Sequence, residues 1–217
     1  MKTRLFGFLI LTALFNICCE SKSFDVASVS LGEDAKKYNF ESTGLFLKDD
    51  TPEKNIIQYY ADENKDLTYD KIPLEKNMGT RITVYKGKIG AIDTNADEKY
   101  ALEFVAKIVG KNGKPTATVK DKAMVDAKSV KPIFEKLKKI SPENVSWNQS
   151  EKNSFTYPTS FFWDDGKNYS ILSIAIEEGG RIRNKYVTVT KEAYRNDAVF
   201  GLKYPAPKES PWYNYMK

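Results

Sequence analysis

Residues 95–114, NADEKYALEFVAKIVGKNGK, decide the fold because they form the best-specified helix in the chain. The apolar residues of this stretch recur at helical spacing and make one wide face: Leu102, Phe104, Val105, Ala106, Ile108 and Val109. We expect Asn95 to cap the first turn together with Glu98, and Gly110 and Pro115 to end the helix. A helix with so wide an apolar face has to lie deep, most simply across a β-sheet.

A second amphipathic helix is predicted at residues 129–140. Its apolar residues form a single stripe: Val130, Ile133, Phe134, Leu137 and Ile140. Ser129 and Pro132 suit the first turn, and Ser141 followed by Pro142 ends the helix.

Alternating or continuous apolar segments predict the strands, at residues 44–47, 55–60, 80–85, 88–92, 116–120, 157–163, 169–176 and 184–190. The last three are joined by residues 164–166 (DDG) and 177–180 (EEGG), which suit tight hairpins. The predicted fold class is therefore α+β, with two helices packed on one face of a mainly antiparallel sheet and a C-terminal β-meander.

The composition limits the range of functions. The chain has 217 residues, 41% of them hydrophobic and 29% charged, which suits a soluble globular domain. Its net charge of +5 is mild and its lysines are scattered among acidic residues, so no nucleic-acid partner is expected. Histidine is absent, and Cys18 and Cys19 are the only cysteines, so no His-dependent catalysis, Cys/His metal site or cofactor is predicted.

Two segments match the start of a calcium-binding loop, D-x-N-x-D, at residues 62–66 and 93–97. The glycine required at the sixth position is replaced by Leu67 or Glu98, and the final glutamate by Pro73 or Phe104. Turn and cap residues explain both matches, so no metal site is predicted.

The first residues have the layout of a secretory signal. Lys2 and Arg4 precede an uncharged, mostly apolar run over residues 5–17. This run is shorter than the roughly 20 residues that a membrane-spanning helix requires. Residues 1–18 are therefore predicted to be a signal peptide.

Cys18 and Cys19 directly follow the apolar run, and this arrangement resembles the signal of bacterial lipoproteins, whose first mature residue is a lipidated cysteine. Cys18 has the more apolar residue three positions before it (Phe15), whereas Cys19 has the smaller preceding neighbour, so either cysteine is a candidate for lipidation. The resemblance implies a cell-envelope protein held at the membrane by an N-terminal lipid anchor. The alternative is an ordinary secreted protein.

The mature chain divides into two parts. Residues 19–39 are rich in Ser, Asp and Lys with few apolar residues, so a flexible tether is predicted there. Residues 40–217 are predicted to form a single α+β domain that ends in an aromatic, proline-rich tail.

No catalytic constellation is recognisable from the sequence. Adjacent acidic residues occur at 49–50, 164–165 and 177–178, and hydrolysis of a glycoside uses two carboxylates held about 5–9 Å apart. Two of these pairs fall in predicted hairpin turns, where solvated side chains are the simpler explanation. An exported, carboxylate-dependent hydrolase of glycans or peptides remains the alternative hypothesis, with carboxylates that meet only in the fold.

Aromatic residues are the most suggestive feature, with 13 Tyr, 12 Phe and 3 Trp. They concentrate in residues 155–163 and 200–215, where core packing or docking of the tail on its own domain competes with partner contact. The candidate partner-binding residues are Trp163, Tyr204, Trp212, Tyr213 and Tyr215.

The sequence therefore predicts a non-enzymatic binding module of the cell envelope whose partner is a protein or a surface glycan. On this hypothesis, replacing Trp212 and Tyr213 together by Ala abolishes capture of the partner and leaves thermal stability unchanged.

Overall fold

The computed structural model describes residues 23–51, 54–61, 66–76, 79–126, 128–148 and 153–217. The predicted signal peptide and both cysteines lie outside these ranges. The strands are β1 Phe24–Asp25, β2 Phe46–Thr51, β3 Ile56–Ala61, β4 Leu67–Tyr69, β5 Ile72–Pro73, β6 Arg81–Tyr85, β7 Lys88–Thr94, β8 Ala117–Met124, β9 Ser146–Trp147, β10 Ser154–Asp164, β11 Asn168–Ile176 and β12 Ile182–Thr190. The α-helices are α1 Phe40–Thr43, α2 Ala101–Asn112, α3 Val130–Ile140 and α4 Lys191–Arg195.

The main sheet has nine strands in the order β2-β3-β6-β7-β12-β11-β10-β8, with β9 paired to β10. All of its pairings are antiparallel. Strands β10, β11 and β12 follow one another in sequence and in space, so the predicted C-terminal meander is confirmed. A smaller three-stranded sheet, β1-β4-β5, contains a parallel pair between β1 and β4.

The two longer helices lie on one face of the main sheet, as predicted. Phe104 of α2 and Phe134 of α3 belong to the same buried cluster as Phe161 of β10 and Leu172 of β11. Their apolar stripes therefore face the sheet, and the α+β fold class is confirmed. None of the helices in the described ranges combines the length and apolar composition needed to cross a bilayer.

The opposite face of the sheet is covered by α4 and by the chain that follows it. A second buried cluster joins sheet residues such as Phe162, Tyr169 and Val189 to residues of this C-terminal part: Ala193, Tyr194, Ala198, Val199, Ala206, Trp212 and Met216. The tail over residues 196–217 is thus a packed layer, although it contains no regular helix or strand.

The ends of α2 differ from those expected. Asp97, instead of Asn95, accepts a hydrogen bond from the Lys99 backbone N–H (2.9 Å) and begins a 3₁₀ turn that leads into the helix. Strand β7 runs through Thr94, so Asn95 is still buried in the structure as the chain leaves the sheet. The helix continues past Gly110 to Asn112 and is followed by Gly113 as the C-cap, whose φ of 67° suits a glycine.

The folded domain begins earlier than residue 40. Val26 is fully buried, and the Asp25 carboxylate accepts hydrogen bonds from the backbone N–H groups of Ala27 (3.0 Å) and Asp70 (2.7 Å). From residue 23 onward the chain therefore packs on the core and does not form the expected tether. Short 3₁₀ turns bring the scattered apolar residues of this segment to one side, a pattern with no simple sequence period.

Candidate functional site

Trp163 lies inside the domain, on the helix-covered face of the sheet. Its ring stacks on Phe161 with 5.7 Å between ring centroids, and its indole N–H donates to the Gly113 carbonyl oxygen (3.0 Å). The indole therefore ties β10 to the end of α2. Because it is buried, Trp163 is removed from the candidate partner-binding surface.

Trp212 is the residue through which the tail packs on the other face. Its ring stacks on Phe162, with centroids 5.2 Å apart and planes 22° apart, and only 7% of Trp212 is exposed. The expectation that Trp212 could be removed without loss of stability does not agree with this burial. Residues 162 and 163 alternate on the strand as predicted, but both faces are covered.

Tyr194 of α4 holds two parts of the tail together. Its hydroxyl lies 2.9 Å from the carbonyl oxygen of Lys203 and 3.1 Å from that of Met216, and the Ala206 N–H donates to the same Met216 oxygen (3.4 Å). Burial, followed by the neighbouring Tyr169, raises the pKa of Tyr194. The side chain therefore remains a neutral hydroxyl donor that closes the tail into a loop.

This closed loop surrounds a cavity of about 410 Å³, which we call the C-terminal cup. Its lining is mostly apolar and includes Tyr194, Leu202, Ala206, Pro207, Trp212 and Met216. The lining residues with polar side-chain groups are Tyr194, Lys203, Ser210 and Trp212. The cup lies within the usual volume range of ligand pockets, roughly 300–1,000 Å³.

Two exposed tyrosines contact the lining of the cup. Tyr204 is 38% exposed and meets the Tyr194 ring edge to face at 5.4 Å, and Tyr215 is 42% exposed and meets the Trp212 ring at 6.5 Å. Tyr213 is half-buried, with the Lys217 ammonium 5.8 Å from its ring centroid. Of the predicted residues, Trp212 therefore lines the cup, whereas Tyr204 and Tyr215 contact its lining residues without lining it themselves.

Several lining residues could not be identified from the sequence. Leu202, Ala206 and Met216 are ordinary apolar residues of an irregular segment, and they meet only because Tyr194 and Phe162 fix the path of the tail. The concentration of aromatic residues in the tail was the usable signal, and it located the cup approximately.

Acidic residues of the adjacent pairs form salt bridges or accept hydrogen bonds from backbone N–H groups in turns. Asp164 forms a salt bridge with Lys191 (2.7 Å), and the Asp165 carboxylate accepts hydrogen bonds from the backbone N–H groups of Lys167 and Asn168. Glu177 pairs with Arg183 at 2.8 Å. Asp50 lies 3.4 Å from Lys48. The hydrolase hypothesis gains no support from these pairs.

The described residues of the two calcium-loop-like segments have other partners in the structure. Asp93 forms a salt bridge with Lys185 (2.9 Å), and Asp97 caps the turn before α2. Within the ranges that the structure describes, no group of three or more Asp, Glu, His or Cys side chains is arranged to hold a metal ion. Most of the first match, residues 62–65, lies outside the described residues.

Comparison of the chain with protein-family models, with curated proteins and with solved structures finds no match.

Proposed function

We propose that this protein is an exported, lipid-anchored protein of the cell envelope that binds another protein through the C-terminal cup and catalyses no reaction. The observation that carries the proposal is the pair of exposed tyrosines, Tyr204 and Tyr215, in contact with the lining of a mostly apolar cavity. Tyrosine next to an apolar pocket is typical of the residues that dominate binding energy in protein interfaces.

A protein partner fits the cup better than a surface glycan. Each sugar hydroxyl that enters a pocket needs a hydrogen-bond partner, because an unsatisfied buried polar group costs about 1–3 kcal/mol. The lining offers few such groups: the side chains of Lys203 and Ser210, the indole N–H of Trp212, and a Tyr194 hydroxyl that already lies against two backbone carbonyl oxygens. An apolar side chain of a protein needs none, so we expect one to fill the cup.

The cup is also held in shape by contacts within this chain. The stacking of Trp212 on Phe162 and the hydrogen-bonding contacts of the Tyr194 hydroxyl hold the tail in place. Binding to a preformed site avoids the entropy loss of ordering a flexible loop. This supports binding as the role of the tail in addition to packing.

The proposed location is supported by the signal-like residues 1–18 and by the cysteines that follow them. We expect intact-mass measurement of the mature protein from its native host to give a chain that begins at Cys18 or Cys19 and carries acyl groups. An unmodified mature chain, or one that retains Met1, would contradict lipid anchoring.

Site-specific photo-crosslinking tests the binding function. A photo-reactive amino acid is placed at position 204 or at position 215 of the full-length protein in its native host, and the crosslinked products are identified by mass spectrometry. We expect the same partner protein from both positions, because both side chains contact the lining of one cup.

The control position is Lys131, which is exposed on α3 on the other side of the sheet. If position 131 crosslinks the same partner equally well, the cup is not the binding site. The same conclusion follows if positions 204 and 215 crosslink no partner. Crosslinking to glycan alone would reject a protein partner.

A further inference from the structure

Arg81 of β6 lies next to the tail on the same face of the sheet as the C-terminal cup. The Ile82 side chain points to the helix-covered core, so Arg81 points to the opposite face. Its guanidinium carbon is 4.4 Å from the ring centroid of Phe200 and 5.0 Å from that of Tyr60. Phe200 directly precedes Gly201, which lines the cup, so Arg81 and the cup are neighbours through the tail.

The Arg81 side chain has no ion pair or hydrogen bond with any residue that the structure describes, and its Nε is buried without a partner. Asp93 is the residue directly opposite Arg81 in the pairing of β6 with β7. The Asp93 carboxylate instead forms a salt bridge with Lys185 at 2.9 Å. Within the described part of the chain, this cross-strand acid is therefore engaged elsewhere, and the terminal amino groups of the guanidinium, unlike the buried Nε, remain available.

Neighbouring side chains hold the guanidinium in position and place apolar groups around it. The Tyr60 hydroxyl donates to the Gln58 side-chain oxygen, which fixes the ring beside Arg81. Phe200 is 69% exposed, and Leu47, which is paired with Tyr60 between β2 and β3, is 61% exposed. Arginine and aromatic residues are among the residue types that are enriched in protein interfaces.

We propose that Arg81 binds the carboxylate of an Asp or Glu side chain of a partner protein, and that an apolar residue beside this acid covers Leu47 and Phe200. This inference rests on the proposed function, since it gives the chemistry of a second contact on the side of the domain that carries the cup. We call the four residues Leu47, Tyr60, Arg81 and Phe200 the arginine clamp.

A carboxylate fits the arginine clamp better than a phosphate group. The planar guanidinium can donate two parallel hydrogen bonds to the two oxygens of one carboxylate. A phosphate group carries more negative charge and usually requires further cationic or N–H donors. The neighbouring Lys185 is paired with Asp93, so it supplies no free cation for a doubly charged anion.

The test uses the full mature chain, labelled with ¹⁵N, and follows the Arg81 Nε–H signal by NMR. Three probes are added separately: N-acetyl-Glu-Phe-amide, its Gln analogue N-acetyl-Gln-Phe-amide, and N-acetyl-phosphoserine-Phe-amide. We expect a saturable shift with the Glu probe, little response to the Gln probe, and weaker binding of the phosphoserine probe. No saturable shift, equal response to Glu and Gln, or tighter binding of phosphoserine would overturn the proposal.

Substitutions then assign the response to Arg81. We expect Arg81→Gln to weaken binding of the Glu probe by about tenfold or more, as judged from the backbone signals of neighbouring residues. Lys131→Gln removes the same charge on the other side of the sheet and is expected to leave binding unchanged. Equal binding by Arg81→Gln and the wild type would contradict the assignment.

A second variant keeps the test decisive should Arg81→Gln fail to fold. Lys185→Gln removes the partner of Asp93 and leaves that carboxylate free to pair with Arg81. We therefore expect Lys185→Gln to weaken binding of the Glu probe as well, and unchanged binding would count against the clamp. These probe experiments do not depend on crosslinking at the cup, so either proposal can fail without the other.

Discussion

Trp212→Ala is expected to lower the free energy of unfolding by about 3–5 kcal/mol, the usual cost of removing a large buried aromatic side chain. The Trp212 ring is almost fully buried, stacks on Phe162 and lines the C-terminal cup. Its removal leaves a void under the tail and exposes part of the sheet face to water. Urea-induced unfolding followed by circular dichroism measures the change.

Tyr213→Ala is the matched control, because Tyr213 is the adjacent aromatic residue and is only half-buried. We expect this substitution to cost about 1 kcal/mol or less. Equal and small effects of the two substitutions would show that the tail does not contribute to the core, contrary to the structure.

Phe104→Ala in α2 is expected to cost a similar amount, about 3–5 kcal/mol. Phe104 is fully buried, and its ring meets Tyr69 of β4 at 5.4 Å and Tyr186 of β12 at 6.4 Å. The side chain thus joins the helix to both sheets. Thermal and urea unfolding of the purified domain measure the loss of stability.

The neighbouring Glu103 provides the control for Phe104. Glu103 lies on the exposed side of the same helix turn, so Glu103→Ala is expected to change the free energy of unfolding by about 0.5 kcal/mol or less. A large effect at Glu103 together with a small one at Phe104 would mean that the apolar face of α2 has been assigned incorrectly.

The elements with a strong period could be predicted from the sequence. Helix α3 was expected at residues 129–140 and spans Val130–Ile140, and the three strands of the meander lie where alternation and hairpin residues place them. These patterns are local, because the apolar or polar character of a residue indicates whether it lies on the buried or the exposed side of its own helix or strand. Boundaries were less certain, as the shift from Asn95 to Asp97 at the start of α2 shows.

The remaining features depend on contacts between distant residues. Alternation along β10 places Phe162 and Trp163 on opposite faces, but no local pattern shows that the tail covers the Phe162 face. Trp212 is buried because Phe162 is there to stack on it, and its own neighbours in sequence do not predict this. The arginine clamp likewise joins Tyr60, Arg81 and Phe200 from three separate segments.

The most direct measurement is the affinity of the crosslinked partner, once purified, for the wild-type protein and for the double variant Tyr204→Ala with Tyr215→Ala. Both side chains are partly exposed but contact buried rings, so the variant is expected to remain folded with a melting temperature lowered by a few degrees. Trp147→Ala, which removes another exposed aromatic residue, is the control. We expect the double variant to bind the partner about 30-fold or more weakly, as for loss of an interface hot spot, and the control to bind normally. Equal affinity of the double variant and the wild type would contradict binding at the C-terminal cup.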